Sequence, residues 1–331
     1  MQTCEPLIRV SHLKKYFPVD RQLFSAKRRF VHAVDDVSLE IYPGETLGLV
    51  GESGCGKSTL GRAMIRLCGV TEGEVTFDGQ NISKLSEKSL IQLRRKMQII
   101  FQDPYASLNP RMTVYEALAA PLKNFGYTRQ EQEKRIVDIA KRVGINVEWL
   151  YRYPHEFSGG QRQRIVIARA LILEPSFVVC DEAVSALDVS VRSQVLNLMS
   201  DLQQEMGLTY LFISHDLSVI KHISDRIAVM YLGRIVELAD KHELIEHPEH
   251  PYTKALISAI PKPTVERREK RIILSGDMPS PIAPPSGCAF HPRCSMCREI
   301  CTKQAPRLRT TKDGHQTACH FLNGFQASEN A

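Results

Sequence analysis

The chain has 331 residues, enough for two domains of about 100–200 residues each and a sizeable buried core, which excludes a disulfide-stapled miniprotein. Hydrophobic residues make up 43% and charged residues 24% of it, ordinary globular values that exclude wholesale disorder and collagen-like repetition. The formal net charge of +6 favours anionic partners too weakly to argue for nucleic acid.

Met1 to Tyr16 hold no apolar h-region, and Lys14 and Lys15 follow rather than precede the few apolar residues there. The chain is therefore expected to stay in the cytosol. The longest apolar stretch, Ile165 to Cys180, is broken by Arg169 and Glu174 and is shorter than the ~20 residues a spanning helix needs. Any meeting with a membrane is expected to run through a partner.

In chain order, Leu7 to Val10, Val37 to Ile41 and Glu74 to Phe77 read as strands of an antiparallel layer, with Tyr42-Pro43-Gly44-Glu45 as a turn. Thr46 to Val50 is a short buried strand that ends in a glycine-rich loop, and Ser58 to Leu67 follows with helical spacing. Thr113 to Leu150 is rich in Glu, Lys, Arg, Gln, Ala and Leu and reads as a helical insertion. Gln161 to Leu173 reads as a helix, Phe177 to Cys180 as a buried strand, Val189 to Gln204 as a helix and Thr209 to Ile213 as another buried strand. This alternation predicts a parallel sheet covered on both faces. Seven of the 18 prolines fall between Pro261 and Pro292, which marks a linker into a small appendix.

Gly51-Glu52-Ser53-Gly54-Cys55-Gly56-Lys57-Ser58-Thr59 fits the spacing of a phosphate-binding loop and sits between a buried strand and a helix. Its glycines let backbone N–H groups curl around phosphate oxygens, Lys57 places a cation at the β- and γ-phosphates, and Ser58 offers a hydroxyl to Mg²⁺. Phe177 to Cys180 ends in Asp181 and Glu182. Asp181 is assigned to Mg²⁺ and Glu182 to polarising the attacking water. Ser158-Gly159-Gly160-Gln161 opens a helix and reads as a second anion site, one that a single nucleotide in one chain does not need, so it predicts dimerisation.

Together these motifs resemble the ATP-binding subunit of an ABC transporter. A Q-loop at Phe101-Gln102-Asp103, a D-loop at Ser185-Ala186-Leu187-Asp188 and a switch histidine, His215, complete the family's order over roughly residues 7 to 240. The resemblance implies an α/β P-loop NTPase fold with a parallel core sheet, an antiparallel β layer, a helical insertion at about 103–157 and a small Cys/Pro-rich appendix. The corresponding boundaries are 1–260 for the ATPase domain and 261–331 for the appendix. It assigns Gln102 to Mg²⁺ and γ-phosphate sensing, Glu182 to general base, His215 to a γ-phosphate contact, and Ser158 to Gln161 to the nucleotide of the opposite subunit. An aromatic ring is expected to stack on adenine; Phe17 is favoured and Tyr16 is the alternative. Ala183 stands where the family usually has proline after the catalytic glutamate, and alanine permits the same extended backbone without enforcing it.

His247-Pro248-Glu249-His250-Pro251-Tyr252, Pro279-Ser280-Pro281 and Gly287-Cys288-Ala289-Phe290-His291-Pro292-Arg293-Cys294 resemble one branch, the importers of dipeptides and oligopeptides, and most closely the second of two ATPase subunits in dipeptide systems. Cys288, Cys294, Cys301 and Cys319 are spaced for an iron–sulfur cluster or a tetrahedral zinc; spacing does not choose between them, and Cys297 is a substitute ligand. Resemblance to the branch points to a [4Fe–4S] cluster. Cys4, Cys55, Cys68 and Cys180 read as bystander thiols.

The implied cofactors are ATP and Mg²⁺. The implied partners are a related ABC ATPase in a heterodimer, with a homodimer still open, two transmembrane permease subunits and an extracytoplasmic substrate-binding protein. The expected place is the cytoplasmic face of the inner membrane, as a peripheral subunit, with no nucleic acid bound. The alternatives are a soluble ABC ATPase acting on nucleic acid or ribosomes, or an importer of another cargo such as a nickel complex or glutathione. A single cassette without sustained heptads argues against the first.

Overall fold

The computed structural model describes residues 5–19, 29–260, 272–311 and 314–322. Cys4 and the linker residues 261–271 lie outside the described residues. The elements begin with β1 (Ile8–Pro18), β2 (Phe30–Ile41), β3 (Thr46–Val50), α1 (Lys57–Met64), β4 (Glu72–Phe77), β5 (Gln80–Asn81), α2 (Glu87–Arg94) and β6 (Met97–Ile100). There follow α3 (Pro104–Ser107), α4 (Val114–Asn124), α5 (Arg129–Arg142), α6 (Gly159–Leu171), β7 (Phe177–Asp181), α7 (Val189–Met206) and β8 (Thr209–Ser214). The chain continues through α8 (Leu217–Ile223), β9 (Arg226–Tyr231), β10 (Arg234–Asp240), α9 (Lys241–Glu246), α10 (Pro251–Ser258), α11 (Glu299–Lys303), β11 (Arg309–Thr310) and β12 (Gln316–Thr317). Among the described residues no helix is long and apolar enough to cross a membrane.

Two compact units result. One holds Leu7–Glu40, Leu47–Ser83 and Ser214–Ala331. Its antiparallel layer runs β2-β1-β4-β5, paired from Ile8 opposite Phe77 to Lys14 opposite Glu72 with an irregularity between Ser11 and Lys14. That irregularity, where His12 has φ 48, interrupts the period-two alternation. This is why the strand expected over Leu7 to Val10 continues to Pro18: Ile8 and Val10 point inward before the break and Leu13 after it.

In the same unit β3 pairs in parallel with β9, and β9 turns back into β10. The turn residues Leu232 and Gly233 both have positive φ, 44 and 82, as the tightest twist-matched hairpins require. The appendix adds a strand here, β12 beside β10 with Glu237 opposite Thr317.

The other unit holds Met1–Pro6, Ile41–Thr46 and Lys84–Ile213. Here β6, β7 and β8 are parallel neighbours with β7 central, and all five β7 residues are buried, as expected of a strand with both faces covered. The expected helical insertion is α4 and α5. Each starts with a reciprocal capping box, Thr113 with Glu116 and Thr128 with Glu131, in which side chains satisfy donors the first turn leaves orphaned. The helix expected over Gln161 to Leu173 starts two residues earlier, because Ser158 caps it. Gly207, left-handed at φ 63, ends α7.

Candidate functional site

In the unit that carries β3, Gly51 to Thr59 leave the buried strand and enter α1. Gly56 is the N-cap of α1, at φ 108 and without a side-chain cap. A Cβ there would lie 1.9 Å from the Ala33 carbonyl oxygen, so only glycine lets the backbone turn at this point. Lys57 is 4% exposed, and its Nζ donates to the carbonyl oxygens of Gly51 at 2.7 Å and Glu52 at 2.9 Å. The ammonium is thus held inside the curl of the loop. Cys55 is buried beside it, and burial pushes its thiol up against the opposing pull of Lys57, consistent with a bystander. Ser53 and Gly54 face solvent, while Glu52, Ser58 and Thr59 are half-buried.

The two candidate adenine rings differ in their commitments. The Tyr16 hydroxyl donates to Asp35 Oδ1 at 2.6 Å, and its ring packs on His32 with centroids 4.2 Å apart. Arg234 grips the other Asp35 oxygen at 2.7 and 3.0 Å. Burial and the Asp35 bond push the Tyr16 hydroxyl well up. Phe17 is 40% exposed, with the Lys15 ammonium 4.7 Å above its ring centre. His215 is exposed just after β8, ahead of Asp216, which caps α8 through the Ser218 N–H.

The other unit carries the acids. Asp181 closes β7 and is 3% exposed. Glu182, half-buried, has φ 52, a left-handed conformation uncommon outside glycine. It is fixed on both sides: its N–H donates to the Ile213 carbonyl at 3.1 Å, and its carbonyl accepts from the Ser185 N–H at 3.1 Å and the Ser185 hydroxyl at 2.9 Å. The extended backbone expected ahead of Ala183 is therefore not what Glu182 adopts; a following proline would favour that extended form, and alanine leaves the left-handed one open. Gln102 Nε2 donates to Glu182 Oε2 at 3.0 Å, joining the Q-loop to the strand-end acids.

Ser158 and Gln161 cap α6 reciprocally: the Ser158 hydroxyl accepts from the Gln161 N–H at 3.3 Å, and Gln161 Oε1 accepts from the Ser158 N–H at 3.0 Å. Between them, a Cβ on Gly160 would lie 2.4 Å from Val191 Cγ1 of α7, and one on Gly159 would reach Leu187 of the D-loop at 4.0 Å. The signature tip and the D-loop, Ser185 to Asp188, are thus packed together. Asp188 is the N-cap of α7 without a side-chain cap bond, and Arg192 Nη2 donates to the Leu187 carbonyl at 3.1 Å.

Cys288, Cys294, Cys301 and Cys319 line one small cavity in the β3-bearing unit, and all four are free thiols. Burial pushes Cys288 up to about 11, with the neighbouring Cys301, Cys294 and Cys319 adding to the shift. Cys294 and Cys319 are raised chiefly by burial as well. Cys297 is exposed and does not line the cavity. Four soft donors in one pocket suit iron or zinc chemically, although as arranged no group of three or more His, Cys, Asp or Glu among the described residues is set to hold a metal ion.

Sequence reasoning missed the polar frame around the phosphate loop. The Glu52 N–H donates to the Tyr252 hydroxyl at 2.9 Å, and Arg293 is paired with the Glu52 carboxylate. Both partners sit in segments already singled out for resemblance, but their contacts with Glu52, 200 and 241 residues away, have no local signature.

A family model described as ABC transporter matches residues 34–185, and one described as Oligopeptide/dipeptide transporter, C-terminal region, matches 236–301. The chain is 52% identical over 325 residues to the oligopeptide transport ATP-binding protein AppF of Bacillus subtilis, covering 96% of this chain and 98% of that one. It is 50% identical to the dipeptide transport ATP-binding protein DppF of Haemophilus influenzae, covering 96% and 97%. Among solved structures, cbiO1 from Clostridium perfringens superposes with a TM-score of 0.64 at 28% identity, over 73% of this chain and 92% of that one. The dimeric ABC transporter cassette MJ0796 gives 0.62 at 28% identity, over 71% and 98%. The chain belongs to the ABC transporter family, as an ATP-binding protein of the oligopeptide and dipeptide transport branch with the P-loop α/β fold.

Proposed function

We propose that this chain is the ATP-hydrolysing motor subunit of an importer of dipeptides or oligopeptides. The observation that carries the chemistry is the Gln102–Glu182 bond at 3.0 Å: a neutral amide donor holds the carboxylate that follows a buried strand-end aspartate. Lys57 and the loop N–H groups bind the β- and γ-phosphates, and Phe17 stacks on adenine, with Tyr16 committed to Asp35. Ser58, Gln102 and Asp181 are the residues that would hold Mg²⁺; hydroxyl, amide and carboxylate are the hard oxygen donors it takes. Donation from the Gln102 nitrogen to Glu182 leaves the Gln102 carbonyl oxygen for the metal. Mg²⁺ bound there would supply charge neutralisation at the phosphates. Glu182 accepts the proton of the attacking water, and His215 contacts the γ-phosphate.

Ser158 to Gln161 meet the nucleotide of an opposing subunit, a reading supported by the dimeric state of the related MJ0796 cassette. The opposing subunit is a related ABC ATPase. Two permease subunits and an extracytoplasmic substrate-binding protein complete the importer, with this chain peripheral at the cytoplasmic face of the inner membrane. Cys288, Cys294, Cys301 and Cys319, the four thiols lining one pocket, would be the ligands of a [4Fe–4S] cluster, which would supply a cross-link within the appendix. Brown protein with about four iron atoms per chain is the expected result; colourless, zinc-loaded protein removes the cluster.

Glu182→Gln tests the motor reading. Hydrolysis is expected to fall about 10²–10⁴-fold, the usual cost of a lost general base, with ATP binding retained. Near-normal turnover overturns the assignment.

A further inference from the structure

The appendix grips the phosphate loop from behind. Arg293, with its side chain only 9% exposed, sends Nη1 to both Glu52 carboxylate oxygens, at 2.9 and 3.1 Å. Glu52 is the second residue of the loop. Its backbone N–H is held in turn by the Tyr252 hydroxyl at 2.9 Å, and its carbonyl oxygen receives Lys57 Nζ. One loop residue is therefore fixed through side chain, N–H and C=O at once.

The turn that carries Arg293 is itself anchored. Phe290, 1% exposed, is packed edge-on against Tyr231 at 5.2 Å between ring centres and tilted against Tyr252 at 5.5 Å. Within the turn, His291 donates its N–H to the Cys288 carbonyl, 3.0 Å away. Met278, also from the appendix, lies 3.6 Å from where a Gly54 Cβ would be. An isolated surface ion pair would be worth little, but a guanidinium this buried cannot be replaced by a passing cation.

Charge makes the contact functional. A glutamate in a loop that wraps a triphosphate sets negative charge against negative charge, at a place partly shielded from water where repulsion is stronger than in solution. We propose that Arg293 is a positioning residue for the nucleotide site: it cancels the Glu52 charge and holds the loop open to phosphate, so that the appendix forms part of the ATP-binding apparatus. The inference rests on the reading of Gly51 to Thr59 as the ATP loop. It assigns the appendix a task inside the catalytic cycle, apart from whatever the thiol pocket holds.

The test measures ATP binding and steady-state hydrolysis on the full chain carrying Arg293→Gln, Arg293→Lys, Glu52→Gln, and the Glu52→Gln/Arg293→Gln pair. Arg293→Gln is expected to raise the Kd and KM for ATP roughly ten-fold with kcat changed less than about three-fold, since one uncancelled charge acts on binding rather than on the chemical step. Arg293→Lys keeps the charge and is expected to stay within about three-fold of the parent in Kd. The double variant is expected to return to within about two-fold of Glu52→Gln alone, a coupling that loss of appendix packing by itself would not produce. Equal losses in Arg293→Gln and Arg293→Lys, no change in Kd for Arg293→Gln, or absence of rescue in the double variant each overturns the proposal while leaving the ATP loop standing. A parent chain that binds no ATP overturns the loop reading and the inference together.

Discussion

Gln102 donates from Nε2 to Glu182 Oε2 at 3.0 Å across 80 residues of sequence, and Glu182 is held there in a left-handed backbone at φ 52. Strained conformations of this kind cost about 1–3 kcal/mol and persist where surrounding bonds over-determine them. Here the Ile213 carbonyl and the Ser185 N–H and hydroxyl do so.

Gln102→Ala removes the amide bond to that carboxylate and leaves the backbone bonds of Glu182 in place. Turnover is expected to fall roughly ten- to a hundred-fold, the scale of a lost positioning contact at a reacting centre. ATP affinity measured in parallel is expected to move less than about two-fold. Equal loss in affinity and turnover would mean that Gln102 acts on nucleotide binding and not through Glu182.

The aromatic pair at the end of β1 separates by chemistry. Phe17→Ala is expected to weaken ATP binding by about five- to a hundred-fold, the range of one base stack, with little change in melting temperature, because its ring is 40% exposed. Tyr16→Phe gives the opposite pattern. It loses a bond to the Asp35 carboxylate, worth about 1–3 kcal/mol of stability for a charged acceptor, and leaves ATP affinity unchanged. Nucleotide titration beside thermal melts distinguishes the two.

Much of this was legible in the sequence because the signals are local. The loop needs its glycines and lysine at fixed spacing, and β3 matches the apolar run Thr46 to Val50 end for end. Strand ends were misjudged where an irregularity broke the alternation, as at His12 in β1. The hairpin of β9 and β10 was not read: Arg226 to Tyr231 and Ile235 to Ala239 are buried almost throughout, so they lack the alternation that marks a half-exposed strand. The Thr113 and Thr128 capping boxes carry a readable S/T-x-x-E pattern that composition alone passed over. Glu52 with Arg293, and Gln102 with Glu182, are pairings made by tertiary packing, and no window of sequence contains both partners.

Gly160 tests how tightly the signature tip is packed. An alanine there sets its Cβ 2.4 Å from Val191 Cγ1, so α6 and α7 must part, at about 1–3 kcal/mol for overpacking. Gly160→Ala is expected to lower both melting temperature and hydrolysis. Shortening the opposing side chain in Gly160→Ala/Val191→Ala is expected to restore most of the stability. Failure of that rescue would show that something other than the contact with α7 excludes the methyl group.

The appendix strand is fastened to β10 by a buried charge pair. His315 Nε2 lies 2.7 Å from Glu237 Oε1, with the two side chains 2% and 0% exposed, and Glu237 also accepts the N–H groups of Glu249 and His250. Burial pulls the His315 imidazole down, but the Glu237 hydrogen bond and the charges of Glu237, Glu249 and Glu243 outweigh it, so its pKa is raised above 6.5. A histidine raised in the folded state contributes its full stabilisation below the unfolded value and loses it as pH climbs through the folded one. Melting temperature is therefore expected to fall, as pH climbs above the ordinary histidine value of about 6.5, more steeply in the parent chain than in His315→Gln, which keeps a hydrogen-bond donor and cannot titrate. The protection factor of the Thr317 amide, opposite Glu237 in the register, with the base-catalysed rise in intrinsic exchange divided out, should fall over the same interval in the parent alone; identical protection profiles in the two proteins would remove His315 as the fastening.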